Sequence, residues 1–264
     1  MITAIKLLIP ILFLVSCAPD EFVADNDYDP ENPDYIPPIV SIVDGITIGQ
    51  TVTTENLTIE YFGNLSKMLF RNRLDTSNWT GWTNNLFATL NYMDEGDHTF
   101  SLQGMFTTGD TSETISVPFT VDAVDGPSLM FFPRRITATQ GETVTFSIIA
   151  EEVYNLAGTE FILTYDPATV SVENVLTGDI FSDMGDIFFF YEDKPSEGKL
   201  IITSAVWGSG EPSYTGTAVI AEVSIQITQL GEIDIIFDGS ELFRDPDNES
   251  IQINTTIPGK IESY

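Results

Sequence analysis

Hydrophobic and polar residues alternate with a period of two along much of the chain after residue 39. Leu57, Ile59 and Tyr61, for example, are separated by single polar residues. Successive side chains of a β-strand point to opposite faces of a sheet, so this pattern predicts strands with one buried face. No segment keeps helical spacing over three turns. The same alternation recurs at residues 98–103, 115–122, 144–148, 161–165, 221–227 and 233–237. The pattern therefore predicts an all-β protein.

Turn residues divide the strand-rich part of the chain into two stretches. Gly126 and Pro127 interrupt the alternation, and a strand does not continue through such a pair. Short strands at this spacing are typical of β-sandwiches. We therefore predict one sandwich at residues 39–123 and a second sandwich of roughly nine strands at residues 128–264.

The first predicted sandwich contains four motifs: Phe70-Arg71-Asn72-Arg73-Leu74-Asp75, Trp79-x-x-Trp82, Glu95-Gly96-Asp97-His98-Thr99-Phe100 and Pro118-Phe119-Thr120-Val121-Asp122. With these motifs the segment is similar to bacterial immunoglobulin-like or fibronectin-III-like spacer modules. The resemblance implies an Ig-like sandwich. The pair Trp79-x-x-Trp82 is compatible with a sugar-binding platform or with a core position, and the core position is favoured.

The N-terminus has the pattern of an export signal. Lys6 is followed by an apolar run, Leu7 to Val15, that is too short to span a bilayer as a helix. The run ends in Leu14-Val15-Ser16-Cys17, which resembles the lipobox of bacterial lipoproteins. The resemblance implies a signal peptide at residues 1–17, cleavage before Cys17 and a lipid on its thiol; the alternative is an ordinary signal peptide. Ala18 in place of aspartate favours the outer membrane or cell surface of a Gram-negative bacterium.

Charge sets limits on partners and on the segment after Cys17. The chain has 40 Asp and Glu against 10 Lys and Arg, a net charge of −30. Such a surface repels nucleic acids and anionic membranes, so we expect contact with a membrane only through the lipid anchor. Residues 18–38 combine acids with prolines and predict an extended, acidic, Pro-rich tether.

Composition also limits catalysis. The chain has one cysteine and one histidine, His98, which leaves no pair of such residues for a catalytic triad or a histidine metal site. Paired carboxylates are the remaining catalytic chemistry, and none lies in a recognisable catalytic context. We therefore expect a protein that is not an enzyme and needs no cofactor.

The second stretch carries a series of motifs in a fixed order, at residues 141–146, 155–161, 163–167, 170–172 with Val175, 178–181, 188–191, 216–223 and 259–261. Together they resemble the cohesin domain, a jelly-roll module related to carbohydrate-binding modules that binds dockerin domains. The resemblance implies a binding module for a dockerin-like protein. The alternation turns Phe161, Leu163 and Tyr165 inward, and the outward residues Glu160, Ile162 and Thr164 are the predicted partner-binding positions.

Two alternatives to protein recognition remain open at this point. Trp207 and Tyr214 are candidates for a platform that stacks on the sugar rings of a polysaccharide, and a structural spacer of the envelope is the third interpretation. Calcium is a weak candidate ligand at Asp245, Asp247 and Glu249, where carboxylates alternate. The positions that follow depart from an EF-hand loop, so a turn between strands is favoured.

Overall fold

A computed structural model describes residues 26–264 of the chain, and over that range every regular element is a β-strand. The all-β prediction is confirmed. No helix in this range is long and apolar enough to cross a membrane. Cys17 and the predicted signal peptide lie outside the described residues.

The first sandwich packs a three-stranded sheet, β1-β3-β5, against a four-stranded sheet, β2-β7-β6-β4. In β3 the alternation places Ile59 and Tyr61 in the core and Thr58 and Glu60 outside, as the pattern predicts. Its similarity to Ig-like modules stays a prediction. The strands are β1 Val40–Asp44, β2 Gln50–Val52, β3 Leu57–Gly63, β4 Leu69–Leu74, β5 Phe87–Leu90, β6 Gly96–Met105 and β7 Ile115–Val121.

The second sandwich has its own hydrophobic core between a five-stranded sheet, β12-β15-β10-β8-β19, and an eight-stranded sheet. The larger sheet runs β13-β14-β11-β16-β20-β9, with β17 paired to β11 and β18 paired to β17. The strands are β8 Ser128–Phe132, β9 Arg135–Ala138, β10 Thr143–Leu156, β11 Gly158–Thr164, β12 Val170–Thr177, β13 Asp186–Lys194, β14 Lys199–Trp207, β15 Tyr214–Ile227, β16 Gly231–Phe237, β17 Leu242–Arg244, β18 Ser250–Ile251, β19 Thr255–Ile257 and β20 Gly259–Ser263.

The segment before the first sandwich differs from the predicted tether. Residues 26–38 form successive turns, in which Asn32 N–H donates to Asp29 O at 2.8 Å. Tyr28 and Tyr35 pack against the first core, and the Tyr28 ring meets Phe106 edge-on at 5.5 Å. These two aromatic rings bury apolar area that a free tether would leave in water, so this part of the segment is folded rather than extended.

The two sandwiches meet around one buried arginine. Arg134 precedes β9, and its side chain is 4% exposed. Its backbone N–H donates to the Asp94 carboxylate at 2.6 Å and its Nη1 donates to Met93 O at 3.2 Å. Its Nη2 also pairs with Glu55. Burial raises the pKa of Asp94, opposed by the hydrogen bond from the Arg134 backbone. The loops of the first sandwich thus hold a charged side chain of the second.

His98 makes the stability of the first sandwich dependent on pH. Its Nδ1 lies 2.8 Å from the Asp75 carboxylate and its Nε2 lies 2.9 Å from Asp94 O. Burial lowers the pKa of His98, but the hydrogen bonds to Asp75 and Asp94 outweigh it, so the pKa is raised above its usual value. The protonated histidine therefore stabilises the fold below its unfolded-state pKa, and this contribution is lost as pH rises through the folded-state pKa.

We expect the loss of unfolding free energy caused by His98→Gln to be largest in mildly acidic buffer and to shrink toward alkaline pH. Urea unfolding of wild type and variant across a pH series measures this difference. A difference that stays constant with pH would contradict a protonated His98 in the fold.

Candidate functional site

The candidate site is the outward surface of one edge of the larger sheet in the second sandwich. β14 pairs with β13 on one side and with β11 on the other, and all three strands keep a regular antiparallel register. Side chains of alternate residues therefore form rows across the strands on the outside. We call this surface the outer face and define it by Phe188, Phe190 and Glu192 of β13, Ile201, Thr203, Ala205 and Trp207 of β14, and Gly158, Glu160, Ile162 and Thr164 of β11.

The register places the three predicted partner-binding residues within the outer face. Ile162 lies opposite Ile201, and Glu160 lies opposite Thr203, whose hydroxyl donates to the Glu160 carboxylate at 3.1 Å. Phe161, Leu163 and Tyr165 are buried, so the predicted alternation is present, and Ile162 itself is half-buried. The binding role of Glu160, Ile162 and Thr164 stays a prediction.

Aromatic side chains of the edge of the sheet extend the apolar part of this surface. Phe188, Phe190 and Trp207 are 42%, 49% and 53% exposed. The Phe188 and Trp207 rings lie 6.2 Å apart between centroids. Large aromatic rings seldom stay this exposed together unless another surface covers them. Sequence reasoning did not select Phe188 or Phe190, because the consecutive apolar run Ile187–Tyr191 has no period that distinguishes its two faces.

A groove of about 530 Å³ continues the outer face past the Gly158 end of β11. Trp207 and Pro212 line one side of it, and Leu242 and Arg244 line the other. Gly158 and Ala205 face each other at the floor and contribute little side-chain volume. The small residues therefore form a depression between larger side chains.

Charges on the outer face are unevenly distributed. Lys194 pairs with Glu192 at 3.2 Å, and Lys199 pairs with Asp238 at 3.7 Å, so the two lysines at this end are matched by acids. Glu160 has a hydroxyl rather than a cation as its partner. The apolar centre is thus bordered by a carboxylate that is free to meet a donor on another molecule.

A hydrogen bond fixes the C-terminal end of β11, one of the strands of the outer face. The Tyr165 hydroxyl donates to the Asp193 carboxylate at 2.5 Å, which ties the residue after β11 to the edge strand β13. Burial and the hydrogen bond to Asp193 both raise the pKa of Tyr165. The phenol is therefore protonated at any physiological pH and keeps this link. This hydrogen bond therefore links two of the strands that carry the outer face, β11 and β13.

The proposed pair of sugar-stacking aromatics is not assembled as one platform. Trp207 lies on the outer face beside Phe188, whereas Tyr214 begins β15 in the opposite sheet. The Tyr214 hydroxyl donates to Thr217 O at 2.8 Å, and its ring packs partly against the core. The structure thus brings Trp207 together with Phe188 instead of Tyr214.

The acidic residues considered for calcium form a turn. Asp245 N–H donates to Glu249 O at 3.1 Å, and the Asp245 carboxylate accepts the Glu249 N–H at 2.8 Å. Within residues 26–264, no group of three or more acidic, histidine or cysteine side chains is placed to hold a metal ion. The calcium hypothesis for Asp245, Asp247 and Glu249 is therefore not supported, because the first carboxylate closes the turn between β17 and β18.

Comparison with known proteins gives matches for the second sandwich. The family model described as the cohesin domain matches residues 133–262. No curated protein matches the chain. Solved structures with a similar fold include a non-cellulosomal cohesin from the archaeon Archaeoglobus fulgidus, at 19% identity and a TM-score of 0.43 over 52% of this chain and 90% of that chain. A type II cohesin domain from the cellulosome of Acetivibrio cellulolyticus is 19% identical, with a TM-score of 0.45 over 51% of this chain and 94% of that chain. A type I cohesin–dockerin complex from Clostridium thermocellum matches at 16% identity and a TM-score of 0.44, over 52% of this chain and 98% of that chain.

Proposed function

We propose that the outer face recognises a dockerin-type protein partner, because residues 133–262 match the family model of the cohesin domain, whose members bind dockerins. The observation that carries this proposal is the group of outward apolar side chains Ile162, Ile201, Phe188 and Phe190, which lie among the polar residues Thr203, Glu160 and Glu192 on one regular sheet. A flat face of this kind offers little enclosure to a small molecule and matches the packing of a protein surface.

The partner is constrained by charge. The chain carries a net charge of −30, and Glu160 borders the apolar centre with no cation of its own within the sheet. A partner surface with lysine or arginine at its rim would approach faster and would meet Glu160 favourably. We therefore propose a partner with an apolar centre and a neutral or basic rim.

Titration calorimetry of the full chain against purified dockerin modules tests this function. We expect saturable binding by at least one module, with an affinity that falls as salt is raised because the rim charges are screened. Failure of a broad panel of dockerins to bind, together with binding of a neutral polysaccharide at Trp207, would replace protein recognition by sugar recognition.

We further propose that the protein is a lipoprotein whose binding module is displayed at the cell surface. Support comes from the lipobox-like Leu14-Val15-Ser16-Cys17, which includes the only cysteine of the chain. Several acyl chains at about 0.8 kcal/mol per buried methylene hold a protein durably in a membrane.

We expect Cys17→Ser to abolish lipid attachment and to move the protein out of the membrane fraction. Metabolic labelling with a fatty-acid analogue and cell fractionation measure this change. Ser16→Ala is the matched control, because it leaves the thiol in place. Label that persists in Cys17→Ser would contradict the anchor.

A further inference from the structure

The positive charge of the first sandwich is gathered at one edge strand. Residues 64–93 hold three of the chain's 10 lysines and arginines but only one of its 40 acidic residues. The three bases are Lys67, Arg71 and Arg73, on and just before β4. This stretch is therefore locally positive in a protein that is otherwise strongly negative, and the same residues include two of the three tryptophans.

The two arginines and two tryptophans form an alternating stack on the outside of β4. The Arg71 guanidinium lies 4.9 Å from the ring of Trp79 and 4.6 Å from the ring of Trp82. Arg73 lies 4.8 Å from the Trp79 ring. The core position favoured for Trp79 and Trp82 is thus wrong, since both are only half-buried and belong to no core cluster. Cation–π contacts of this kind fix a guanidinium plane while its edges stay available.

Neither arginine of the stack has a carboxylate partner within residues 26–264. Arg71 donates from Nε and Nη2 to the side-chain oxygen of Gln103, at 2.9 and 2.6 Å. A guanidinium has five N–H donors, so three remain. The Arg73 Nε is buried and has no hydrogen-bond partner in the same range. Two adjacent cations without a carboxylate partner, of which Arg71 keeps three N–H donors, indicate a site for an anion that is not part of this range.

The stack also holds the segment that follows β4 in place. Thr83 exchanges two backbone hydrogen bonds with Phe70, and Asn72 N–H donates to the Thr80 hydroxyl at 2.9 Å. This segment places uncharged polar side chains around the arginines. Exposed members are Asn78, Thr80, Asn84 and Asn85. Amide and hydroxyl groups beside aromatic rings suit the hydroxyl groups of a sugar, and the paired guanidinium groups suit a carboxylate.

We propose that the Arg71–Arg73–Trp79–Trp82 stack is a second binding site, distinct from the outer face, for an acidic polysaccharide whose sugars carry carboxylates. The arginines bind the carboxylates through charge-assisted hydrogen bonds, and the amides around them bind the ring hydroxyls. The local excess of bases in residues 64–93 attracts an anion to this stretch, and charges much farther away than the Debye length of about 8 Å are screened at physiological ionic strength.

Calorimetry with oligogalacturonate and the full chain tests this site. We expect binding by the wild type, and a loss of about tenfold or more in affinity for Arg71→Gln and for Arg73→Gln. Arg135→Gln is the matched control, because the Arg135 guanidinium also lies over an aromatic ring, that of Tyr92, but already pairs with a carboxylate, that of Glu262. Thermal unfolding of each variant is measured in parallel. If a glutamine variant fails to fold, the lysine variant at the same position, Arg71→Lys or Arg73→Lys, takes its place.

Two further ligands decide the chemical class. A neutral galactan oligosaccharide of the same length and poly-glutamate should both bind far more weakly than oligogalacturonate. If poly-glutamate bound as tightly as oligogalacturonate, the proposal that the site recognises the sugar as well as the carboxylate would be wrong. Absence of oligogalacturonate binding, or equal binding by folded variants and wild type, would overturn the site as a whole.

Discussion

Replacing Ile162 by aspartate is expected to weaken binding of a dockerin-type partner by about 30-fold or more while leaving the fold intact. Ile162 lies on the outer face opposite Ile201, in the row that ends at Glu192 of β13. A carboxylate there would lose water in the complex, and Lys199, which lies opposite Thr164, already pairs with Asp238. Central interface residues commonly contribute about 2 kcal/mol or more, which corresponds to this loss in affinity.

The matched control is Leu176→Asp, an equally apolar and outward residue on β12 in the opposite sheet. It should bind like the wild type. Calorimetry of the three proteins with one partner gives the comparison, and circular dichroism checks the fold. If Leu176→Asp were the variant that lost binding, the recognition surface would lie on the five-stranded sheet.

Replacing Arg134 by alanine is expected to destabilise the junction between the sandwiches by about 2–4 kcal/mol. The substitution removes buried hydrogen bonds to Met93 and Glu55 and leaves a cavity where a long side chain was enclosed. A charged hydrogen bond in a buried setting is stronger than a neutral one, which places this loss above that of an ordinary surface change.

Arg135→Ala supplies the comparison, since the neighbouring Arg135 is one-third exposed and pairs with Glu262 at the surface. Exposed ion pairs contribute about 0–1 kcal/mol. Urea unfolding followed by circular dichroism should show a clearly lower midpoint for Arg134→Ala only. Equal midpoints for both variants would mean that the buried arginine does not couple the two sandwiches.

Sequence reasoning succeeded where local patterning determines the structure. Alternation in β11 correctly separated Phe161 and Leu163 from Glu160 and Ile162, because a one-residue shift would expose the entire apolar set. The resemblance to cohesins also rests on local patterning, because its motifs lie in the strands and turns of the second sandwich. The buried and exposed sides of such strands can therefore be predicted from the sequence alone.

Features that depend on contacts between distant residues were missed. Tryptophan is usually a core residue, so Trp79 and Trp82 were predicted to lie in the core. They instead pack against the arginines on the outside of β4. This contact depends on the register of β4, which the sequence pattern does not give. The packing of Tyr28 against Phe106 is hidden by the acids and prolines around it. The pairing of Trp207 with Phe188 depends on the register of β13 with β14.

Hydrogen exchange of the full chain, with and without a bound dockerin-type partner, tests the proposed recognition surface most directly. Partner binding should slow exchange in β11, β13 and β14, which carry the outer face, and leave β12 and the first sandwich unchanged. Protection confined to the five-stranded sheet, or to β4 and its tryptophans, would contradict the outer face as the site of protein recognition.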